Sequence, residues 1–364
     1  MRFIVKIGSN LLTQEDNALN VAFIEHVAAQ ISILHAQGHE PLIVTSGAVA
    51  AGRRTISLKK ESKNIPYRQL LAAVGQTFLM DTYRDSFNRY GMIIGQVLLT
   101  MHDLDRRKSF LITRNTLDLM LKHRIVPIVN ENDVTTFAGL KFGDNDNLSA
   151  RLSSTVDAET LILLTDVDGL FDANPTANPQ ARLIDEVEAI TPQIKAMAQG
   201  KGTKKSLGGM RSKIEAAEYA TQAGVDVWIA NGSTAHVITE IIHGERPHGT
   251  HFRRQFIPKD ARHKWMQSQQ NSQAAIVVDS GACDAILNKG KSLLPSGIQK
   301  VKGIFQRGDI IGVLNEEEVK MGFGQVNYSS EELALIKGKK SNEIEEILGY
   351  MLQEEVIHRD NMVK

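Results

Sequence analysis

Among its 364 residues the chain has one cysteine, Cys283. A single thiol excludes an internal disulfide, leaves a cysteine-based metal site without ligands, and points to a reducing compartment, the cytoplasm. Aromatic residues make up only 5% of the chain, so platforms for stacking nucleic-acid bases are few. An excess of charge is also missing, with 42 Lys+Arg balanced by 42 Asp+Glu, and nothing favours a phosphate backbone or an anionic lipid surface. No apolar run approaches the ~18 residues of a membrane helix. The opening run Phe3-Ile4-Val5 is broken by Lys6 too early for a signal peptide. The 11 histidines form no HExxH, and neither CxxC, GxxxxGK[ST] nor GxSxG occurs. The expectation is a soluble intracellular protein without dedicated zinc, Walker-type or serine-hydrolase chemistry.

What is present is a globular composition, 42% hydrophobic and 23% charged, in a chain long enough for two domains. Short β-branched runs alternate with helical patterns through the first two-thirds. Strands are expected at 3–6, 42–45, 92–99, 125–129, 160–165 and 225–229. Helices are expected at 21–37, 67–90, 107–123, 147–157 and 210–223, with a last one ending near His243. Such strand–helix–strand repetition predicts an α/β fold, a mainly parallel sheet sandwiched by helices, with ligands at the carboxyl ends of the strands. After residue 250 the pattern changes. Segment 251–272 is basic, then polar, and reads as a linker. Residues 273–364 carry strands at 275–278 and 310–314 among regularly placed glycines, then short helices at 331–337 and 343–350, which predicts a small β-rich domain. The expected division is therefore 1–250, 251–272 and 273–364.

Candidate chemistry lies where the strands end. Lys6-Ile7-Gly8-Ser9 supplies a cation and a glycine that lets backbone approach an anion. Thr45-Ser46-Gly47-Ala48 leaves a hydroxyl in the crevice, or else an N-cap. Residues 130–147 form the densest polar stretch, with Asp133, Asp144, Asn145, Asp146 and Asn147 able to hold an ammonium group or steer lysines, or else a solvated loop with Asp146 or Asn147 as an N-cap. Thr165-Asp166 ends another strand. Gly208-Gly209-Met210-Arg211-Ser212-Lys213 opens a helix as a nucleotide-phosphate site could.

Taken with Val74-Gly75-Gln76, Asn130-Glu131-Asn132-Asp133 and Thr165-Asp166-Val167-Asp168-Gly169-Leu170, these segments resemble the amino-acid kinase family in order and spacing. Lys291-Ser292-Leu293-Leu294-Pro295, Phe305-Gln306-Arg307-Gly308-Asp309, Asn327-Tyr328-Ser329-Ser330 and Val356-Ile357-His358-Arg359-Asp360-Asn361 are similar to a PUA domain. The resemblance spans essentially the whole chain. It implies transfer of the ATP γ-phosphoryl group to the γ-carboxylate of L-glutamate, giving γ-glutamyl phosphate, the first step of proline biosynthesis. It implies catalytic roles for Lys6 and Lys213, aligned by Asp146, with the Gly8 and Gly47 amides facing the transferring group. Ser46, Asp133 and Asn145 would bind glutamate. Lys6, Thr165, Asp166, Leu207, Gly208, Gly209, Met210, Arg211, Ser212 and Lys213 would bind the nucleotide, with Mg²⁺ held mainly by ATP rather than by protein side chains. Proline as a feedback inhibitor, γ-glutamyl phosphate reductase as a partner, and a homo-oligomer also follow from the resemblance. One departure stands out. The family usually has Gly-Thr before the Gly-Gly-Met run, where this chain has Ser206-Leu207, which bears on the shape of the loop and the tightness of ATP binding. Two rival readings stay open. One is another acceptor within the family (acetylglutamate, aspartate, carbamate or uridylate). The other is RNA binding by the PUA-like part, against which residues 273–364 hold 11 basic and 14 acidic side chains.

Overall fold

The computed structural model describes residues 1–14, 16–56, 64–135, 145–173, 175, 178–198, 209–246, 248–255, 270–351 and 353–363. Its internal contacts divide it into two units, Met1–Phe256 and Ile257–Lys364. The first unit begins β1 (Arg2–Ile7), α1 (Ser9–Leu12), α2 (Val21–Ala36), β2 (Glu40–Val44), α3 (Ala48–Thr55), α4 (Ile65–Asn88) and β3 (Ile94–Leu99). It continues α5 (Met101–Asp105), α6 (Arg107–Lys122), β4 (Val126–Glu131), α7 (Asn145–Thr155), β5 (Thr160–Thr165) and β6 (Glu186–Val187). Then come α8 (Pro192–Met197), α9 (Met210–Gln222), β7 (Asp226–Asn231), α10 (Val237–Ile242) and β8 (Gly249–Phe252).

These strands form one sheet in the order β3-β4-β2-β1-β5-β7-β8-β6. Its central pairs are parallel, as the strand–helix alternation predicts, whereas β8 pairs antiparallel to β7 and β6 runs with β8. Side chains alternate across β1: Phe3, Val5 and Ile7 enter the core under α2, α4 and α10, whereas Ile4 enters the core under α7 and α9. Lys6 is two residues beyond Ile4 and so belongs to the α7/α9 face. This period of two decides where its ammonium goes.

Two expectations need correction. The boundary at 250 falls inside β8, where Phe252 is fully buried and His251 stacks on Trp228 with ring centroids 4.5 Å apart. The expected linker therefore loses 251–252 to this strand and its last residues to the next strand, and 256–269 lie outside the described residues. The small residues after β2 open a helix, α3, whose N-cap is Gly47 rather than Ser46. A Cβ at Gly52 would sit 2.0 Å from the Leu71 carbonyl oxygen, and one at Gly75 would sit 1.8 Å from that of Ala48. Glycine is required there so that α3 and α4 can touch backbone to backbone.

The second unit comprises β9 (Gln270–Val278), α11 (Ser280–Leu287), β10 (Ile298–Lys302), β11 (Ile310–Leu314), β12 (Lys320–Gln325), α12 (Ser330–Ile336), α13 (Ile344–Leu348) and β13 (Met362–Val363). Its sheet order is β10-β9-β11-β12-β13 around a core holding Leu293, Phe305, Tyr328, Val356 and Ile357. The sequence pattern missed β10 and β12, which are interrupted by lysines and glycines rather than alternating cleanly. The motif residues of this unit bond to one another or to their neighbours within it. Leu293 N–H donates to the Ile357 carbonyl at 2.9 Å, Asn327 N–H to that of Val356 at 2.8 Å, and the Tyr328 hydroxyl to that of Gln353.

Candidate active site

Three charged side chains meet in a buried part of the first unit. Lys6 Nζ lies 2.6 Å from Asp146 Oδ1, and Lys213 Nζ lies 3.3 Å from Asp146 Oδ2. Lys6, Asp146 and Lys213 are only 5%, 2% and 5% exposed. Lys6 comes from the end of β1, Asp146 from the first turn of α7 and Lys213 from the first turn of α9, so three elements distant in sequence converge there. The Ser212 hydroxyl donates to Asp146 Oδ2 at 2.7 Å and is also 2.9 Å from the Gly209 carbonyl. Burial by itself pushes the Asp146 carboxyl up. Lys6 and then Lys213, with hydrogen bonds from Lys6 and Ser212, more than reverse this and hold it well below the usual carboxylate range. The trio carries a net charge of +1 while buried. That residual cation, at the starts of two helices, suits an anion.

Beside it lies a cluster of amides. Asn145, the residue before Asp146, directs Nδ2 at the Thr45 carbonyl (2.9 Å), Ser46 Oγ (2.9 Å) and Asn130 Oδ1 (3.2 Å). Asn130 Nδ2 in turn donates to Gln76 Oε1 at 2.9 Å. The turn holding Ser46 is anchored from below, because Thr45 Oγ1 and the hydroxyl of the fully buried Tyr83 lie 2.8 Å apart. Gly47 caps α3 with a φ of 100°, a left-handed conformation that suits glycine. Asp133 lies two residues beyond the end of β4. Burial raises its carboxyl above the ordinary value, and the Arg68 guanidinium partly opposes that shift.

The structure thus brings Lys6, Asp146, Lys213 and Ser212 together, and Ser46 with Asn145. It departs from expectation at Gly8, whose N–H donates to the Leu164 carbonyl at 3.1 Å and is not directed at a transferring group. A Cβ at Gly8 would come 3.3 Å from that same carbonyl oxygen, a tight contact. Thr165 ends β5 and Asp166 follows it, with Thr165 Oγ1 and Asn10 Nδ2 donating to Asp166 at 3.1 and 2.8 Å. Met210 packs against the core, and Arg211 pairs outward with Glu215 at 2.8 Å. A Cβ at Gly209 would meet no atom within 4 Å among the described residues, so packing alone does not account for glycine there. Leu207 and Gly208, like Ser206 and Asp144, lie outside the described residues. Sequence reasoning gave no role to Gln76, Asn130, Thr45, Tyr83 or Arg68. The only available signal was the presence of Gln76 and Asn130 within short motifs.

Residues 1–231, the stretch that holds the buried Lys–Asp–Lys trio, match the model of the amino acid kinase family. The chain belongs to the amino acid kinase family. A second match, residues 274–348, is to the PUA domain. Among curated members, the chain is 44% identical to the glutamate 5-kinase of Thermoanaerobacter sp. (strain X514) and 43% identical to that of Caldanaerobacter subterraneus subsp. tengcongensis, in both cases across 100% of this chain and 97% of the relative. It is 42% identical, with the same coverage, to the glutamate 5-kinase of Geobacter sulfurreducens.

Proposed function

We propose that this protein phosphorylates the γ-carboxylate of L-glutamate with ATP, releasing ADP and γ-glutamyl phosphate, as the first step of proline biosynthesis in the cytoplasm. The observation that carries this reading is the buried Lys6–Asp146–Lys213 trio beside the Ser46–Asn145 amide cluster: a cationic seat for phosphoryl oxygens next to a neutral polar seat for an amino acid. A carboxylate nucleophile and a polyanionic phosphate repel each other, and fixed cations offset the charge that accumulates as the bond transfers. Lys6 and Lys213 supply those cations. Asp146 positions both, because each ammonium bonds a different oxygen of one carboxylate. Ser46, Asn145 and Asp133 hold glutamate, the Asp133 carboxylate facing the α-ammonium. Gly47, Thr165, Asp166 and the start of α9 surround the transferring group and nucleotide.

Mg²⁺ accompanies ATP in this reading. Both oxygens of Asp146 are occupied by lysines and Ser212, and in this reading the ion is held mainly by nucleotide oxygens. The labile acyl phosphate calls for a reductase close by. Proline, with the same α-amino-acid head, competes for the glutamate seat, and the chain acts as a homo-oligomer. Among the described residues no helix is long and apolar enough to cross a membrane. Measuring ADP release against a panel of amino acids and small phosphoacceptors tests the proposal. Turnover confined to L-glutamate is the expected result, and preference for N-acetylglutamate, aspartate, carbamate or uridylate overturns it.

A further inference from the structure

The amide cluster has two ends, and backbone groups fix the orientation of each. Glu131 N–H, which can only donate, is 2.9 Å from Asn130 Oδ1. The other face of Asn130 is therefore its Nδ2, and the Gln76 atom 2.9 Å away must be the acceptor Oε1. At the other end the Thr45 carbonyl can only accept, so the Asn145 atom facing it is Nδ2. Two atoms are left over. Gln76 Nε2, a donor, and Asn145 Oδ1, an acceptor, are both buried and have no hydrogen-bond partner among the described residues. A buried polar atom left without a partner is costly, and two at the ends of one bonded chain mark a place where a ligand completes the set.

We infer that Gln76 determines specificity for the substrate's α-carboxylate, with Nε2 donating to it while Asn145 Oδ1 accepts from the α-ammonium. One donor and one acceptor at fixed separation match the zwitterionic head of a free α-amino acid. The inference rests on the glutamate reading above and adds a residue and a contact to it. Asn130 acts as a positioning residue that passes the orientation of Glu131 N–H to Gln76. The arrangement selects against acceptors with a neutral or absent α-carboxylate, because Nε2 then remains without a strong acceptor.

The test compares L-glutamate with L-isoglutamine, which keeps the γ-carboxylate and α-ammonium but has a carboxamide in place of the α-carboxylate. In Gln76→Glu, Oε1 still accepts from Asn130 while the second oxygen replaces the donor with an acceptor. The expected result is a rise of about tenfold or more in KM for glutamate, a smaller change for isoglutamine, and hence a narrowed or inverted preference, with the change in KM larger than that in kcat. A purely structural role would weaken both substrates alike. Gln76→Met removes the donor without adding charge and serves if the first variant does not fold, with the same direction expected. An unchanged glutamate-to-isoglutamine ratio in the folded variant overturns the inference alone. Failure of the unmodified chain to phosphorylate glutamate overturns the functional reading and this inference with it.

Discussion

Both units carry dense sequence motifs, but the motifs do opposite things with their polar groups. In the first unit they end in unsatisfied capacity: a buried trio with one net positive charge, a donor on Gln76 and an acceptor on Asn145. In the second unit the motifs close on themselves. Leu293 and Ile357, Asn327 and Val356, and Tyr328 and Gln353 join loop to loop, and the apolar members are buried. Motif density alone does not separate chemistry from folding; the bonding left over after folding does. Among its described residues the PUA-like unit has one comparable leftover in Arg307 Nε, on a half-buried side chain.

Asp146→Asn tests this contrast hardest. Leaving two buried ammonium groups without their counter-charge should cost about 3–5 kcal/mol of stability and most of the turnover, read by thermal unfolding and ADP release. Retention of both would mean the trio is an ordinary ion pair. Lys6→Ala and Lys213→Ala should each lower kcat by about 10²–10³-fold with far less effect on glutamate KM, since they act on charge that grows during transfer.

Phe305→Ala should behave in the reverse way, costing about 3–5 kcal/mol in unfolding of the second unit while glutamate kinetics below its transition stay unchanged. A specific loss of glutamate affinity would break the division between folding motifs and chemical ones. Asp133→Asn should raise glutamate KM by about tenfold with little change in kcat. The same side chain gives a pH signature. Its carboxyl is raised by burial, so glutamate affinity is complete above that raised value and falls as pH drops through it, higher than the ordinary carboxylate value of about 3.9. A KM–pH profile that is identical for wild type and Asp133→Asn would remove Asp133 from the glutamate seat. The smallest effect is expected from a chain ending at Phe256. It keeps the ties of Arg254 N–H to Asp226 (3.1 Å) and Gln255 N–H to the Thr221 carbonyl (2.9 Å), and should fold and retain kinase activity by circular dichroism and ADP release. A folded but inactive product would show that the second unit completes the site.

Much of the first unit was legible because its parallel strands are buried on both faces and read as unbroken apolar runs, such as Thr160–Thr165, whose ends are the observed ones. The convergence of Lys6, Asp146 and Lys213 could be read only through a family likeness, since no local rule joins a strand end to helix starts about 140 and 207 positions away. Gln76 was invisible as a functional residue because, on a helical surface, a glutamine is by default solvated; its meaning depends on Asn130, 54 positions later. Gly8 was misread for the opposite reason. A glycine at a strand end suggests an open amide, whereas the neighbouring β5 takes that amide into its ladder. In the second unit, β10 and β12 are short and half-exposed, and their lysines and glycines hide the alternation.

The backbone contact of α3 with α4 at Gly52 and Gly75, together with the Tyr83–Thr45 bond, has a kinetic corollary for the turn carrying Ser46 and Gly47. Loops of this length ordinarily fluctuate on the nanosecond scale. This one is attached at both its start and its continuation to a single helix of 24 residues, so it shifts only when α4 shifts, which moves it into the slower regime of whole-element motion. Its shape is set during folding rather than at each encounter with substrate, and little ordering entropy remains to be lost on binding. Amide protons of residues 45–48 should therefore exchange at the rate of the α3–α4 pair rather than at the rate of a surface turn.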